Sequence, residues 1–344
     1  MAKSRKINIS TYLSLNFTKS FLTIFLPLFF IGSLVFIIKI SSLTASIQVS
    51  FGEMIQLFSY NLPAILFYTL PISFLVAIAI TLLRLSHDNE LMALFALGSK
   101  ANTLMYRFSF IATLFTMILL LLSLGLMPQT KQQFKAFKIE KSTQAQVNIK
   151  PSKLGQKFGN LFVYVESKER DSLNNIVIYN KDEKHSDQIF IAENANIKNI
   201  NSVVTLTLNR GSGYTYSEDS LKEINYRKMQ IFQTLKSKSF TYESIINYWS
   251  LILLNPKKIG RILFFIYVSA IPIILLYLIA SFSIINPRYQ KNYAYGILIV
   301  ATISVYVVAS LLEKHGTFLT LALALISTFS LGFILFKRQV ERFF

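Results

Sequence analysis

The sequence predicts an α-helical polytopic membrane protein: six transmembrane helices, with an all-β domain (a jelly roll or β-sandwich) inserted between the third and the fourth. Three observations carry that prediction. Six apolar runs without a charged residue lie along the 344 residues. One long polar interval separates the first three runs from the last three. The composition agrees, with 53% hydrophobic residues, only 15% charged and a mean hydropathy of +0.47; an ordinary soluble domain carries about 25% charged residues.

The runs are Phe21–Ile38, Tyr60–Leu83, Phe108–Met127, Ile262–Ile285, Asn292–Leu312 and Gly316–Phe336. A helix of ~20 residues crosses a hydrocarbon core of ~30 Å, so each run is long enough to span. Helices also satisfy every backbone polar group internally, as lipid demands. The first run follows the basic stretch MAKSRK, as the core of a signal peptide would. It is longer than the usual core and no A-x-A site follows, so it reads as an uncleaved span. The expected division is a membrane domain over 1–130, an inserted domain over 131–258 and a second membrane domain over 259–344.

Basic residues in short loops orient such a chain. Lys3, Arg5, Lys6, Lys19, Arg84, Lys100, Arg107, Arg288, Lys291, Lys337, Arg338 and Arg342 fall on one side. Only Lys39 and Lys314 fall in short loops on the other. This predicts both termini and the 84–107 loop in the cytoplasm, and the inserted domain outside. The net charge of +18 is absorbed by these loops and a basic inserted domain, so nucleic acid is not an expected partner.

The inserted domain reads as strands. LFVYVE (161–166), IVIY (176–179), QIFIAE (188–193), VVTLTL (203–208), GYTYS (213–217) and MQIFQTL (229–235) are short and rich in β-branched or aromatic residues. Clusters such as DSLNN, NKDEKHSD and NRGSG separate them and read as turns. Short strands at this spacing suggest a sandwich, a jelly roll or an open barrel.

Several chemistries are excluded. There is no cysteine, hence no disulfide framework, no thiolate catalysis and no Cys-ligated metal. His87, His185 and His315 lie in three different segments, none with a partner at metal-ligand spacing. Neither G-x-x-x-x-G-K-[ST] nor G-x-G-x-x-G occurs, so no nucleotide is held by those devices. The spans lack the carboxylate relay of a proton-driven carrier.

One stretch stands apart. RLSHDNELMALFALGSK, residues 84–100, gathers charge between two apolar runs. It predicts a capped helix over 86–98. Ser86 or Asp88 can cap its start, and Asp88 and Glu90 suit the positive end of its dipole. Leu91, Leu94, Phe95 and Gly98 recur at i, i+3, i+4 and i+7, one face of a helix, and Gly98 is a natural stop. Such a helix can dock into a partner's groove, lie on lipid, or merely cap the second span with polar residues.

Over nearly its whole length the chain resembles the lipopolysaccharide-export permeases LptF and LptG. LPAILFYTLP carries Pro63 and Pro71 at the spacing of the family's second span. NELMALFALG follows where the family has its ATPase-contacting coupling helix, with Glu90 matching the acidic residue and Gly98 the glycine. Ser99-Lys100 departs slightly from the usual continuation. SIINPRYQK (283–291), with Pro287, is similar to the Asn-Pro-Arg loop of LptF rather than LptG, as are VVTLTLNRG and LFVYVES. Arg261 matches an arginine entering the fourth span, but Lys257 and Lys258 stand where an acidic residue often precedes it.

The resemblance implies a permease subunit of an ABC transporter in the bacterial inner membrane. It would extract lipopolysaccharide and pass it to a periplasmic bridge. No cofactor is implied for this chain, because ATP belongs to a separate LptB-like ATPase dimer. A second, LptG-like permease and LptC-like and LptA-like bridge proteins are the other implied partners. Asp88, Asn89, Glu90, Leu91, Leu94, Phe95 and Gly98 would meet the ATPase. Lys39, at the outer end of the first span, would meet lipid phosphates, as would Arg261; a lysine there also fits plain interfacial snorkelling. Two other functions fit the architecture: a structural subunit of an envelope complex, and a membrane-embedded lipid-modifying enzyme.

Overall fold

The computed structural model describes residues 9–44, 49–147, 156–158, 161–169, 172–181, 186–200, 203–217, 220–234, 242–250, 256–287, 289 and 292–342. His185, Arg288 and Lys291 lie outside them. The chain divides into two units. One holds 1–40, 55–132 and 243–344; the other holds 41–54 and 133–242.

The first unit is helical. It is built from α1 (Ile9–Thr44), α2 (Phe51–His87), α3 (Glu90–Ala96) and α4 (Ala101–Leu120), which runs on through a π-helical turn (Leu121–Leu126) into α5 (Met127–Val147). Later in the chain come α6 (Ile245–Ser250), α7 (Pro256–Ser269), α8 (Ile271–Ile274), α9 (Leu276–Ser283), α10 (Ala294–His315) and α11 (Phe318–Phe336). Among the described residues, five helical stretches are long and apolar enough to cross a membrane: Ser10–Ser42, Phe51–His87, Ala101–Ile139, Ala294–His315 and Phe318–Glu341.

The remaining expected run, Ile262–Ile285, is helical but comes in three pieces, α7, α8 and α9. Pro272 lies at the start of α8; it has no N–H to donate and its ring crowds the carbonyl one turn back. Helical hydrogen bonding nevertheless bridges the second break, from Leu275 N–H to Ile271 O (3.1 Å) and from Ile279 N–H to Leu275 O (2.9 Å). Pro63 and Pro71 are buried within α2, which stays continuous. The π-helical turn frees backbone carbonyls from the regular ladder. Trp249, the only tryptophan, donates its indole N–H to Leu124 O at 2.9 Å, and Ser123 Oγ lies 3.3 Å from Ser269 Oγ.

α2 lies at the centre of this unit, with Phe67, Phe74, Ile78 and Leu82 fully buried. α1, α10 and α11 turn outward rows of apolar side chains to the surroundings, among them Phe30, Leu34, Ile303, Leu323 and Ile326. Patches on this scale are foreign to a soluble monomer and belong against lipid or a membrane partner.

The second unit contains the all-β insertion. Its strands are β1 (Gln156–Phe158), β2 (Leu161–Glu169), β3 (Ser172–Lys181), β4 (Ser186–Ile200), β5 (Val203–Ser217) and β6 (Ser220–Thr234). They form one antiparallel sheet in the order β1-β2-β3-β4-β5-β6. Every described pairing thus joins neighbours in sequence, whereas a jelly roll also pairs distant strands. Val163, Val165, Ile176, Ile178, Leu206 and Leu208 form the core and are at most 1% exposed.

One expected turn is not a turn. NRGSG (209–213) lies inside β5, where Gly211 pairs with Ala192 and Gly213 with Phe190. The two strands read on either side of it are one long strand. The glycines mimic a turn signal but mark a bend, where the backbone of Arg210 is left-handed (φ 50°).

Candidate functional site

α2 ends at His87, and the chain reverses through Asp88 and Asn89 before α3 begins. The expected helix over 86–98 is therefore shorter, Glu90–Ala96, and neither Ser86 nor Asp88 caps it. Asn89 occupies the N-cap in a left-handed conformation (φ 58°) without a side-chain capping bond. The backbone itself makes the joint: Asn89 N–H donates to Ser86 O at 3.1 Å, and Asn89 O accepts from Ala93 N–H at 3.0 Å.

The expected stop at Gly98 is present. Gly98 N–H donates to Phe95 O (2.9 Å) and Ser99 N–H to Leu94 O (3.1 Å), the paired bonds of a Schellman ending. Gly98 has φ +86° and open space around its Cα, so backbone conformation rather than crowding demands glycine here.

The apolar face of α3 turns inward. Leu91 is fully buried, and Leu94 and Phe95 are half-buried against the same helical core. With Leu13 and Leu104 they line a small void of about 40 Å³. The exposed side carries Asp88, Asn89, Ala93, Ala96, Leu97 and Gly98; Leu97 is 84% exposed. Leu91, Leu94 and Phe95 thus support α3, and Ala93, Ala96 and Leu97 face outward. Leu97 falls off the apolar stripe, so periodicity carries no signal for it.

Two carboxylates flank the joint. Glu90 accepts a 2.6 Å hydrogen bond from the Tyr12 hydroxyl of α1, a short charge-assisted contact. Asp88 lies 3.7 Å from Arg84, with both side chains more than half exposed; such a pair adds little to stability. Tyr12 carried no signal in the sequence, because its partner is 78 residues away.

Further bonds tie this end of the bundle together. Ser86 is buried; its Oγ donates to Ser283 O (3.0 Å) and accepts from Ile285 N–H (3.3 Å). That places the end of α9, just before Pro287, against the α2–α3 joint. Asn102, at the start of α4, donates to Glu341 Oε1 at 2.8 Å. The start of α1, the 84–107 segment, the chain after α9 and the C-terminal tail therefore meet at one end. These are the four segments whose basic residues group together in the sequence.

The opposite end holds Lys39, Arg261 and Glu313. Lys39 is exposed near the end of α1, and Arg261 is half-buried at the start of α7. Gly260, beside Arg261, packs against the backbone of Glu313 on α10: a Cβ there would meet the Glu313 carbonyl carbon at 2.8 Å and its oxygen closer still. A small residue at the crossing lets two membrane helices approach this closely. No group of three His, Cys, Asp or Glu side chains that could hold a metal ion occurs among the described residues.

The family model of the lipopolysaccharide export system permease LptF/LptG matches residues 11–338. The chain belongs to this family. No match is found among curated proteins. As an LptF/LptG permease it is a multi-pass inner-membrane subunit of an ABC transporter that extracts lipopolysaccharide, and it is not itself an enzyme. ATP is hydrolysed by a separate LptB-type ATPase, and the permease family binds no cofactor of its own. Membership sets aside the structural-subunit and lipid-modifying readings.

Proposed function

We propose that α3 is the coupling helix through which this permease receives the motion of its ATPase, with α3 and both chain ends in the cytoplasm and the sheet domain in the periplasm. The observation that carries the reading is the junction around α3. Its apolar face is anchored inward, its outer face is bare, and its neighbours reach α1 through Tyr12–Glu90 and the end of α9 through Ser86. A push on the outer face would move two other helices with it. Asp88, Asn89 and Gly98 lie at the rim of that face, and Glu90 links it to α1.

In the same reading the chain is the LptF-type partner of an LptG-like permease, on the strength of SIINPRYQK around Pro287. Lys39 and Arg261, at the far end, meet phosphates of the lipid. The bridge proteins, LptC-like and LptA-like, add a strand to β6, whose 15 residues form the longer edge of the sheet among the described residues, while β1 at the other edge has three.

The chain has no cysteine, so a single introduced thiol is unambiguous. Leu97→Cys should crosslink to the ATPase in inside-out vesicles and react with a membrane-impermeant maleimide only in vesicles of that orientation. A thiol at Ser217 should label from the periplasmic side. Labelling of both thiols from the same side, or no ATPase adduct at position 97, would overturn the reading.

A further inference from the structure

The outward face of the sheet carries one further feature. Between β2 and β6, each ladder skips one pair while its flanking pairs stay in register. Val165↔Ile176 and Ser167↔Asn174 enclose the first gap, and Asn209↔Lys228 and Gly211↔Tyr226 the last. The skipped positions line up as one row across five strands: Glu166, Asn175, Glu193, Arg210 and Arg227. Asn175 and Arg210 have left-handed backbones (φ 51° and 50°). Buried residues on either side of the row are three apart, Leu173 and Ile176 on β3, Ala192 and Ala195 on β4. Strict alternation would put them on opposite faces, so the sheet bends here and the row points away from the core.

This row forms one wall of a cavity of about 740 Å³, in the size range of small-molecule sites. Its charges are unevenly matched. Asn175 donates to Glu166 (2.6 Å), and Glu193 lies 3.5 Å from Arg210. Arg227, exposed on β6 beside Arg210, has no ion pair among the described residues. Two guanidiniums on neighbouring strands repel, and an anion between them relieves that. The other walls include Tyr164, Tyr214 and Tyr226. Ser212 donates to Asn225 Oδ1 at 2.6 Å, which holds the Asn225 amide in place. Burial pushes the Tyr226 hydroxyl pKa up, and it stays a neutral donor, bonded to Ile191 O at 3.0 Å.

We propose that this cavity binds a saccharide ring bearing one acidic group, with the acid on Arg227. A sugar ring has an apolar C–H face that lies flat on tyrosine and a rim of hydroxyls that pair with carboxylate and amide groups. A guanidinium matches a carboxylate or phosphate with two parallel bonds. Arg210 already has Glu193 beside it, and Arg227 has no ion pair among the described residues, so the row matches a single acid rather than a polyanion. The proposal does not rest on the role given to α3.

Calorimetry on the purified full chain tests it with three probes: the lipid-free acidic oligosaccharide released from lipopolysaccharide by mild acid, a neutral maltohexaose, and inorganic phosphate. The acidic oligosaccharide should bind saturably, and the other two at least tenfold more weakly. Arg227→Gln should weaken it about tenfold and Arg227→Lys less. Asn225→Ala, on the same exposed strand, is the second variant. Equal binding of the neutral and acidic sugars, or wild-type affinity in both Arg227→Gln and Asn225→Ala, would overturn the proposal. In cells, a photoreactive side chain in place of Glu223 identifies the source. Adducts with acyl chains indicate a lipid-linked glycan and adducts without them a free one; no glycan adduct counts against the site.

Discussion

The two faces of α3 predict opposite consequences for Leu91 and Leu97, only six residues apart. Leu91 has no exposed surface and borders an existing void of about 40 Å³. Leu91→Ala removes three carbons and enlarges that void, and buried Leu→Ala changes cost ~2–5 kcal/mol. A pre-existing gap means fewer contacts to lose, so ~3 kcal/mol is the expected loss. Only the seven-residue α3 depends on this anchor, so the loss should appear as local opening rather than global unfolding. At ~1.4 kcal/mol per factor of ten, amide exchange across 91–97 should accelerate roughly 150-fold. Hydrogen–deuterium exchange on the detergent-solubilised chain reads this directly, with α11 as the internal control. Leu97→Asp touches no core and should leave exchange within about threefold of wild type, consistent with the ±0.5 kcal/mol of ordinary surface changes. It should still abolish co-purification of the ATPase, because it puts an unpaired charge on the outer face of α3, the proposed coupling helix. Unchanged exchange in Leu91→Ala, or equal acceleration in the two variants, would refute the assignment of the faces.

Gly260→Ala should prevent normal packing of α7 on α10, since its Cβ would collide with the Glu313 carbonyl. Loss of monodisperse protein on gel filtration is the expected result, and wild-type behaviour would mean the two helices are not held so close. Lys39→Glu should weaken photocrosslinking of lipopolysaccharide to α1 several-fold while Lys39→Arg keeps it. Equal crosslinking in wild type and both variants would return Lys39 to a snorkelling role.

The sequence by itself determined the membrane class, the insertion of a β domain between two sets of spans, and the position of the helix after the second span. These rest on length and local rules: ~20 apolar residues for a span, strand-forming runs between polar clusters, and a glycine stop at Gly98. Local rules also misled in two places. They located a cap at Ser86 or Asp88, where Ser86 instead bonds Ser283 and Ile285 across the bundle. They made NRGSG a turn, where the sheet needed a bend within one strand.

Only the tertiary structure decided the partners. Tyr12 with Glu90, Gly260 with Glu313, and the row from Glu166 to Arg227 join residues that are far apart in the chain. Hydropathy and turn chemistry are properties of neighbours along the chain. Which helix crosses which, and at what register five strands align, depend on close packing of distant surfaces, which a single segment does not encode.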